Sequence, residues 1–245
     1  MWSKKLKPYI RLKLARNYWL FSKLVYFKKS SHRLLVKKNT ELVIEGYPRS
    51  ANTFAVIAFQ HAQKNQVNLA HHLHATSQIK YAARNGIPII VLIRDPKDAI
   101  TSLVVRYPQA NIEGCLKEYI NFYKSIYGYR NKFIVTDFKE VVSDFGSAIN
   151  RLNKKLNTQF DVFNHNEENI NAVFKEIDRV HLYYNEDQNQ LARPAKVKEP
   201  LKKSVLNRFN DIKYQNKLNQ AYYWYNKYMN EVNLDIDFYK TAIES

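Results

Sequence analysis

Pro88-Ile89-Ile90-Val91-Leu92-Ile93-Arg94-Asp95-Pro96-Lys97-Asp98 joins an unbroken aliphatic run to a charged turn. A run of β-branched and aliphatic residues with no polar alternation is the pattern of a central parallel strand covered on both faces. The turn carries the signals of a helix start: Asp95 can cap, Pro96 suits the first helical position, and Asp98 falls in the first turn. Upstream, Glu41-Leu42-Val43-Ile44-Glu45-Gly46 reads as a short apolar strand, and Phe54, Val56, Ile57 and Phe59 give a helix beginning near Asn52 or Thr53. A second strand is expected over residues 67–72, then a helix over 77–85 closed by Gly86 as a left-handed cap. Downstream, residues 112–128 read as helix, 132–136 as strand and 145–156 as helix. Beyond residue 160 the pattern weakens, leaving a loop over 189–204 and a helix over 205–228. Strands alternating with helices predict the α/β class, a three-layer parallel sheet flanked by helices, with right-handed crossovers and a ligand crevice at the strands' carboxyl ends.

At 245 residues the chain suits one such domain, with residues 1–40 as an N-terminal arm and 41–245 as the domain. The arm holds most of the basicity. Residues 1–40 carry twelve Lys or Arg and no acid, so of a net charge of +17 only about +5 remains for the rest. Aromatic and aliphatic residues, Trp2, Tyr9, Trp19, Phe21, Tyr26 and Phe27 among them, interleave with those cations. Such a segment suits either a peripheral helix at an anionic membrane or a helix packed on the domain with its cations in water. No run of about 18 apolar residues exists, so no membrane span or signal peptide is expected. The single cysteine, Cys115, excludes an internal disulfide and accords with a cytoplasmic chain.

Three groups of residues at strand ends carry chemistry. In Gly46-Tyr47-Pro48-Arg49-Ser50-Ala51-Asn52-Thr53, a turn between strand and helix aims backbone N–H groups and the positive helix end at an anion. The turn lacks the second Gly and the Lys of a Walker loop, which disfavours the usual Mg²⁺-nucleotide arrangement. Arg94, followed by Ser102 two helical turns on, offers a planar fork and a hydroxyl to a phosphate; the plain alternative is an ion pair of Arg94 with Asp95 or Asp98. In His71-His72-Leu73-His74, a neutral imidazole can accept a proton from a hydroxyl, and on an extended strand His72 and His74 would share a face. A metal site there is short of ligands, so no metal is expected.

These residues resemble the sulfotransferase family, which has a P-loop NTPase-like architecture. Its 5'-phosphosulfate loop reads Tyr-Pro-Lys-Ser-Gly-Thr-Thr-Trp where this chain has Tyr47-Pro48-Arg49-Ser50-Ala51-Asn52-Thr53-Phe54. Its 3'-phosphate element is an Arg, a Pro-Lys-Asp tripeptide and a Ser, matched by Arg94, Pro96-Lys97-Asp98 and Ser102. The resemblance implies an enzyme that transfers a sulfuryl group from 3'-phosphoadenosine 5'-phosphosulfate to a hydroxyl or amine. Arg49 would steady the bridging oxygen, Ser50, Ala51, Asn52 and Thr53 would hold the 5'-phosphate, and Phe54 would lie near the adenine. The family's spacing selects His72 as the base, with His74 as substitute. Its closing Arg-Lys-Gly segment has Arg193 and Lys196 as nearest counterparts. Arg49 is a fork where the family has a point charge, and Asn52 replaces a hydroxyl.

A saccharide or glycolipid is the acceptor expected, with peripheral contact at an anionic membrane through the arm and no nucleic acid as partner. Two rival readings remain: a phosphotransferase with an atypical loop, and a non-enzymatic basic module binding anionic lipid or nucleic acid through residues 1–40.

Overall fold

The computed structural model describes Ser22 and residues 32–183 and 198–241. Four parallel strands, β1 (Leu42–Gly46), β2 (Leu69–His71), β3 (Ile89–Ile93) and β4 (Ile134–Asp137), form one sheet in the order β2-β1-β3-β4. Among the described residues the helices are α1 (Asn52–Ala62), α2 (Thr76–Arg84), α3 (Pro96–Arg106), α4 (Ile112–Ile126), α5 (Phe138–Ser143), α6 (Phe145–Leu156), α7 (Glu167–Tyr183), α8 (Glu199–Arg208) and α9 (Ile212–Thr241), with a 3-10 turn over Tyr127–Lys132 after α4.

Because side chains alternate along a strand, each buried strand feeds two cores. Val43, Ile89, Val91, Ile93 and Val135 face the cluster built with α2, α3, α4, α8 and α9. Leu42, Ile44, Ile90, Leu92 and Ile134 face the one built with α1, α5, α6 and α7. The expected three layers follow. Tight register between β1 and β3 depends on Gly46, where an added Cβ would stand 2.4 Å from the Leu92 carbonyl oxygen.

Several local expectations hold. Asp95 caps α3 by accepting from the Asp98 amide, with Pro96 in the first turn. Gly86 takes φ 68° just past α2, and the Ile87 amide donates back to the Ala82 carbonyl at 3.0 Å.

Others need correction. The second strand is shorter than expected and ends at His71, because His72 and His74 adopt φ 58° and 49°. The two rings therefore do not share a strand face. Residues 189–197 of the expected loop lie outside the described residues, and its end is helical: α8 begins at Glu199, and Pro200 can enter it because a first-turn residue needs no amide donor. The single helix expected over 205–228 is instead the end of α8, a break, and α9 from Ile212. Helices α5 and α7 had no counterpart in the sequence reading. Residues 1–21 and 23–31 of the basic arm, and both Arg193 and Lys196, lie outside the described residues. Among the described residues no helix is long and apolar enough to cross a membrane.

Candidate functional site

β1 and β3 are neighbours, and their chains leave for α1 and α3 from adjacent carboxyl ends. β2 lies on the far side of β1 and β4 on the far side of β3, so the strand order reverses at this point. Such a switch point opens a crevice between the two departing loops.

The loop after β1 is held in an unusual path. Arg49 (φ 72°) and Ala51 (φ 65°) both sit in the left-handed region, which disfavours residues with a Cβ. The Asn52 side chain donates from Nδ2 back to the Tyr47 carbonyl at 3.2 Å and closes the turn. Ala51 brings no side-chain cap to α1, as Ala75 brings none to α2 and Lys198 none to α8, whereas Asp95, Asn111, Asp137 and Asp144 cap α3, α4, α5 and α6. Ser50 is buried beside the Tyr123 phenol, yet its Oγ closes no hydrogen bond of normal geometry. The Asn52 Oδ1 is likewise buried without a partner. An uncapped helix start leaves backbone N–H donors that an anion can satisfy.

Arg94 leaves the end of β3 and reaches this loop, its Nη1 donating to the Arg49 carbonyl at 3.1 Å. Its guanidinium carbon lies 3.9 Å from the centre of the Phe138 ring, and Nε is buried without a partner. Burial lowers its pKa, while Asp98 and Asp95 oppose that shift. The ion pair to Asp98 is loose, at 3.9 Å. From the other direction, Arg49 Nε donates to Ser102 Oγ at 2.9 Å, across from α3. Arg49, Arg94 and Ser102 thus meet at one place.

The histidines lie on the other flank. Thr53 Oγ1 and His72 Nε2 are 3.1 Å apart, which sets His72 against the first turn of α1. His71 and His72 face each other through their Nδ1 atoms at 2.6 Å, so one of the two must donate. Burial pushes the His71 imidazole down to about 4. His72 is held well below its ordinary value, first by burial and then by His71, His74 and Arg106. Both rings are therefore neutral at pH 7. His74 Nδ1 lies 2.8 Å from the Gly46 carbonyl, an acceptor only, so the ring carries a proton on Nδ1.

Arg49, Thr53, His72, Arg94 and Ser102 are thus brought together. Ser50 and Ala51 line the loop, and the Asn52 side chain is spent on bracing it. Phe54 packs among Phe163, His165 and Phe174. Among the described residues no group of three or more His, Cys, Asp or Glu could hold a metal ion.

Sequence reasoning missed the residues that hold the site in shape. Tyr119 OH donates to the Arg94 carbonyl at 2.7 Å. Tyr123 OH donates to the Leu92 carbonyl at 2.9 Å and lies 3.4 Å from the Tyr47 amide. Those two tyrosines, one turn apart on α4, tie both loops to one rigid helix. Glu45 is fully buried at an inward position of β1. A carboxylate inside the apolar run Leu42-Val43-Ile44-Glu45 was the available signal, since a buried charge needs dedicated partners.

No family model matches the chain, and no curated protein matches it. Among solved structures the chain is similar to the crystal structure of mouse sulfotransferase SULT7A1 complexed with PAP. That similarity has a TM-score of 0.45 and 11% sequence identity, over 88% of this chain and 93% of that one.

Proposed function

We propose that this chain is a sulfotransferase that moves the sulfuryl group of 3'-phosphoadenosine 5'-phosphosulfate onto an acceptor hydroxyl or amine. One observation carries the reading: Arg94 on the Arg49 carbonyl and Arg49 on Ser102 join two anion-binding elements across the switch between β1 and β3. Each element alone suits one phosphate. Together they suit a nucleoside with a phosphate at each end, and buried polar atoms without partners, Ser50 Oγ and Arg94 Nε, stand ready on both sides.

The chemistry asks little of the protein beyond position and charge. The acceptor oxygen or nitrogen forms a bond to sulfur while the bond from sulfur to the bridging oxygen breaks. The electron pair of that bond leaves with adenosine 3',5'-bisphosphate. The acceptor's proton passes to His72, which lies against Thr53 and is neutral at pH 7. Arg49 and the amides at the start of α1 meet the charge that grows on the departing oxygen. Arg49 rests on Ser102, so that hydrogen bond opens when Ser102 and Arg49 serve opposite ends of the donor.

The test is ligand-induced stabilisation. Adenosine 3',5'-bisphosphate at a hundred times its Kd raises stability by about 2.7 kcal/mol, and ATP with Mg²⁺ gives no comparable shift. Donor labelled in its sulfate, offered with a panel of sugars, phenols and glycolipids, then identifies the acceptor. Stabilisation by ATP with Mg²⁺ and none by the bisphosphate overturns the reading.

A further inference from the structure

Glu45 has no place in the transfer step as derived above, yet three N–H donors converge on its buried carboxylate. The Leu73 amide donates to Oε1 at 2.9 Å, the His74 amide to Oε2 at 2.9 Å, and the Gln78 side chain to Oε1 at 3.0 Å. The two backbone donors are the first and second residues after His72. The carboxylate therefore fixes the chain direction as it leaves His72, in the segment where His72 and His74 take φ 58° and 49°. The neighbouring Gly46 carbonyl holds the His74 ring from the same strand end, and the His74 Nδ1 lies 3.9 Å from Glu45 Oε2.

We infer that Glu45 is a positioning residue for His72: it anchors the turn that carries the proton acceptor against the start of α1. The inference rests on the functional reading above for its link to turnover and on the hydrogen bonds alone for its link to the ring. A carboxylate is required because it is acceptor-only. Glutamine has the same shape but presents an NH₂ to at least one of three converging donors, whichever way its amide is turned. With one anchor lost the turn relaxes towards ordinary backbone, and His72 leaves its place beside Thr53. Displacement of a catalytic group by about 1 Å costs on the order of 10²-fold in rate.

The test compares the wild type with Glu45→Gln and Glu45→Asp in the full chain. Binding-competent sites are counted by titration with adenosine 3',5'-bisphosphate, and kcat per site is read as release of that nucleotide from the sulfate donor, with an acceptor from the panel or with water. The expected result is a nucleotide Kd within twofold of wild type and a kcat per competent site lower by tenfold or more in Glu45→Gln. A merely structural role lowers the number of competent sites and leaves kcat per site unchanged, which overturns the inference. Ring ¹⁵N spectra of histidine-labelled protein supply a readout independent of activity. His72 and His74 shift in Glu45→Gln if the turn is anchored as inferred, and unchanged spectra overturn the inference. A wild type that neither binds nor cleaves the donor overturns the functional reading, and the ring spectra then still decide the role of Glu45.

Discussion

Lowering the pH from 7.5 to 5.0 should destabilise this protein through His71 and His72, half-buried rings that the fold desolvates, before carboxylate protonation contributes much. The His71 imidazole titrates at about 4 in the folded chain, against about 6.5 when unfolded. Its folded value is depressed, so the unfolded chain takes up the proton first. The stability this neutral ring contributes is complete above about 6.5, is lost as pH falls, and levels off below about 4. Between 6.5 and 5.0 that is about 1.5 pH units at 1.36 kcal/mol each, or about 2 kcal/mol from His71. His72 is depressed in the same direction by burial and by its neighbours, and adds to the loss. For a domain of this size, 2 kcal/mol corresponds to about 4–8 °C in Tm. Urea melts followed by tryptophan fluorescence at half-unit pH steps measure the slope. It should approach two protons near pH 5.5 and fall to about one in His71→Gln. A flat stability between pH 7 and 5 refutes the desolvation of these two rings by the fold.

His72→Ala should keep its affinity for adenosine 3',5'-bisphosphate and lose turnover by at least 10²-fold, measured by release of labelled product; undiminished turnover moves the base elsewhere. Ala51→Gly removes a Cβ from a residue at φ 65°, a relief of about 1–2 kcal/mol offset by about 0.4–1 kcal/mol of extra unfolded-state freedom, so thermal melts should show a small net gain in stability. Gly46→Ala forces a Cβ to within 2.4 Å of the Leu92 carbonyl and should destabilise by about 2 kcal/mol or more, read as a lower Tm or loss of folded protein. Tyr119→Phe deletes the hydroxyl that holds the Arg94 carbonyl and should cost about 1 kcal/mol, with calorimetry showing weaker nucleotide binding.

The two strands that make the crevice were legible because both are short aliphatic runs bounded by turn residues, and local pattern was enough to find them. The phosphate-loop residues and Arg94 with Ser102 were legible for a related reason, as the chemistry sits within a few residues of each strand end. The path of the histidine segment was not. An extended strand places His72 and His74 on one face, and nothing within residues 67–74 says otherwise. The cause lies 28 and 29 residues upstream, where Glu45 reaches the Leu73 and His74 amides. Helix α7 was legible and was passed over, since Ile170, Val173, Phe174 and Ile177 recur at the spacing of one helix face. The end of α8 and the start of α9 were read as one helix because the break at Phe209, Asn210 and Asp211 contains neither Gly nor Pro.

Four non-glycine residues in the left-handed region, Arg49, Ala51, His72 and His74, lie within two short loops on either side of β1's carboxyl end. A single such residue is unremarkable in a turn; four side by side need something to hold them. The holding groups are all buried and all on regular elements: Glu45 on β1, Tyr119 and Tyr123 on α4, and Asn52 at the start of α1. Strain of this kind survives only where hydrogen bonds and packing over-determine the backbone, and it confers rigidity in return. A rigid loop keeps its donors aimed at the place where charge will develop, so little reorganisation is needed at the moment of reaction. A substitution at Glu45, which holds the histidine turn, should therefore separate from one at Arg94 or Ser102. The former should lower turnover while leaving most of the nucleotide affinity intact, and the latter should lower affinity first. Tyr119, which holds the Arg94 backbone itself, belongs with the second group despite its distance from the histidines.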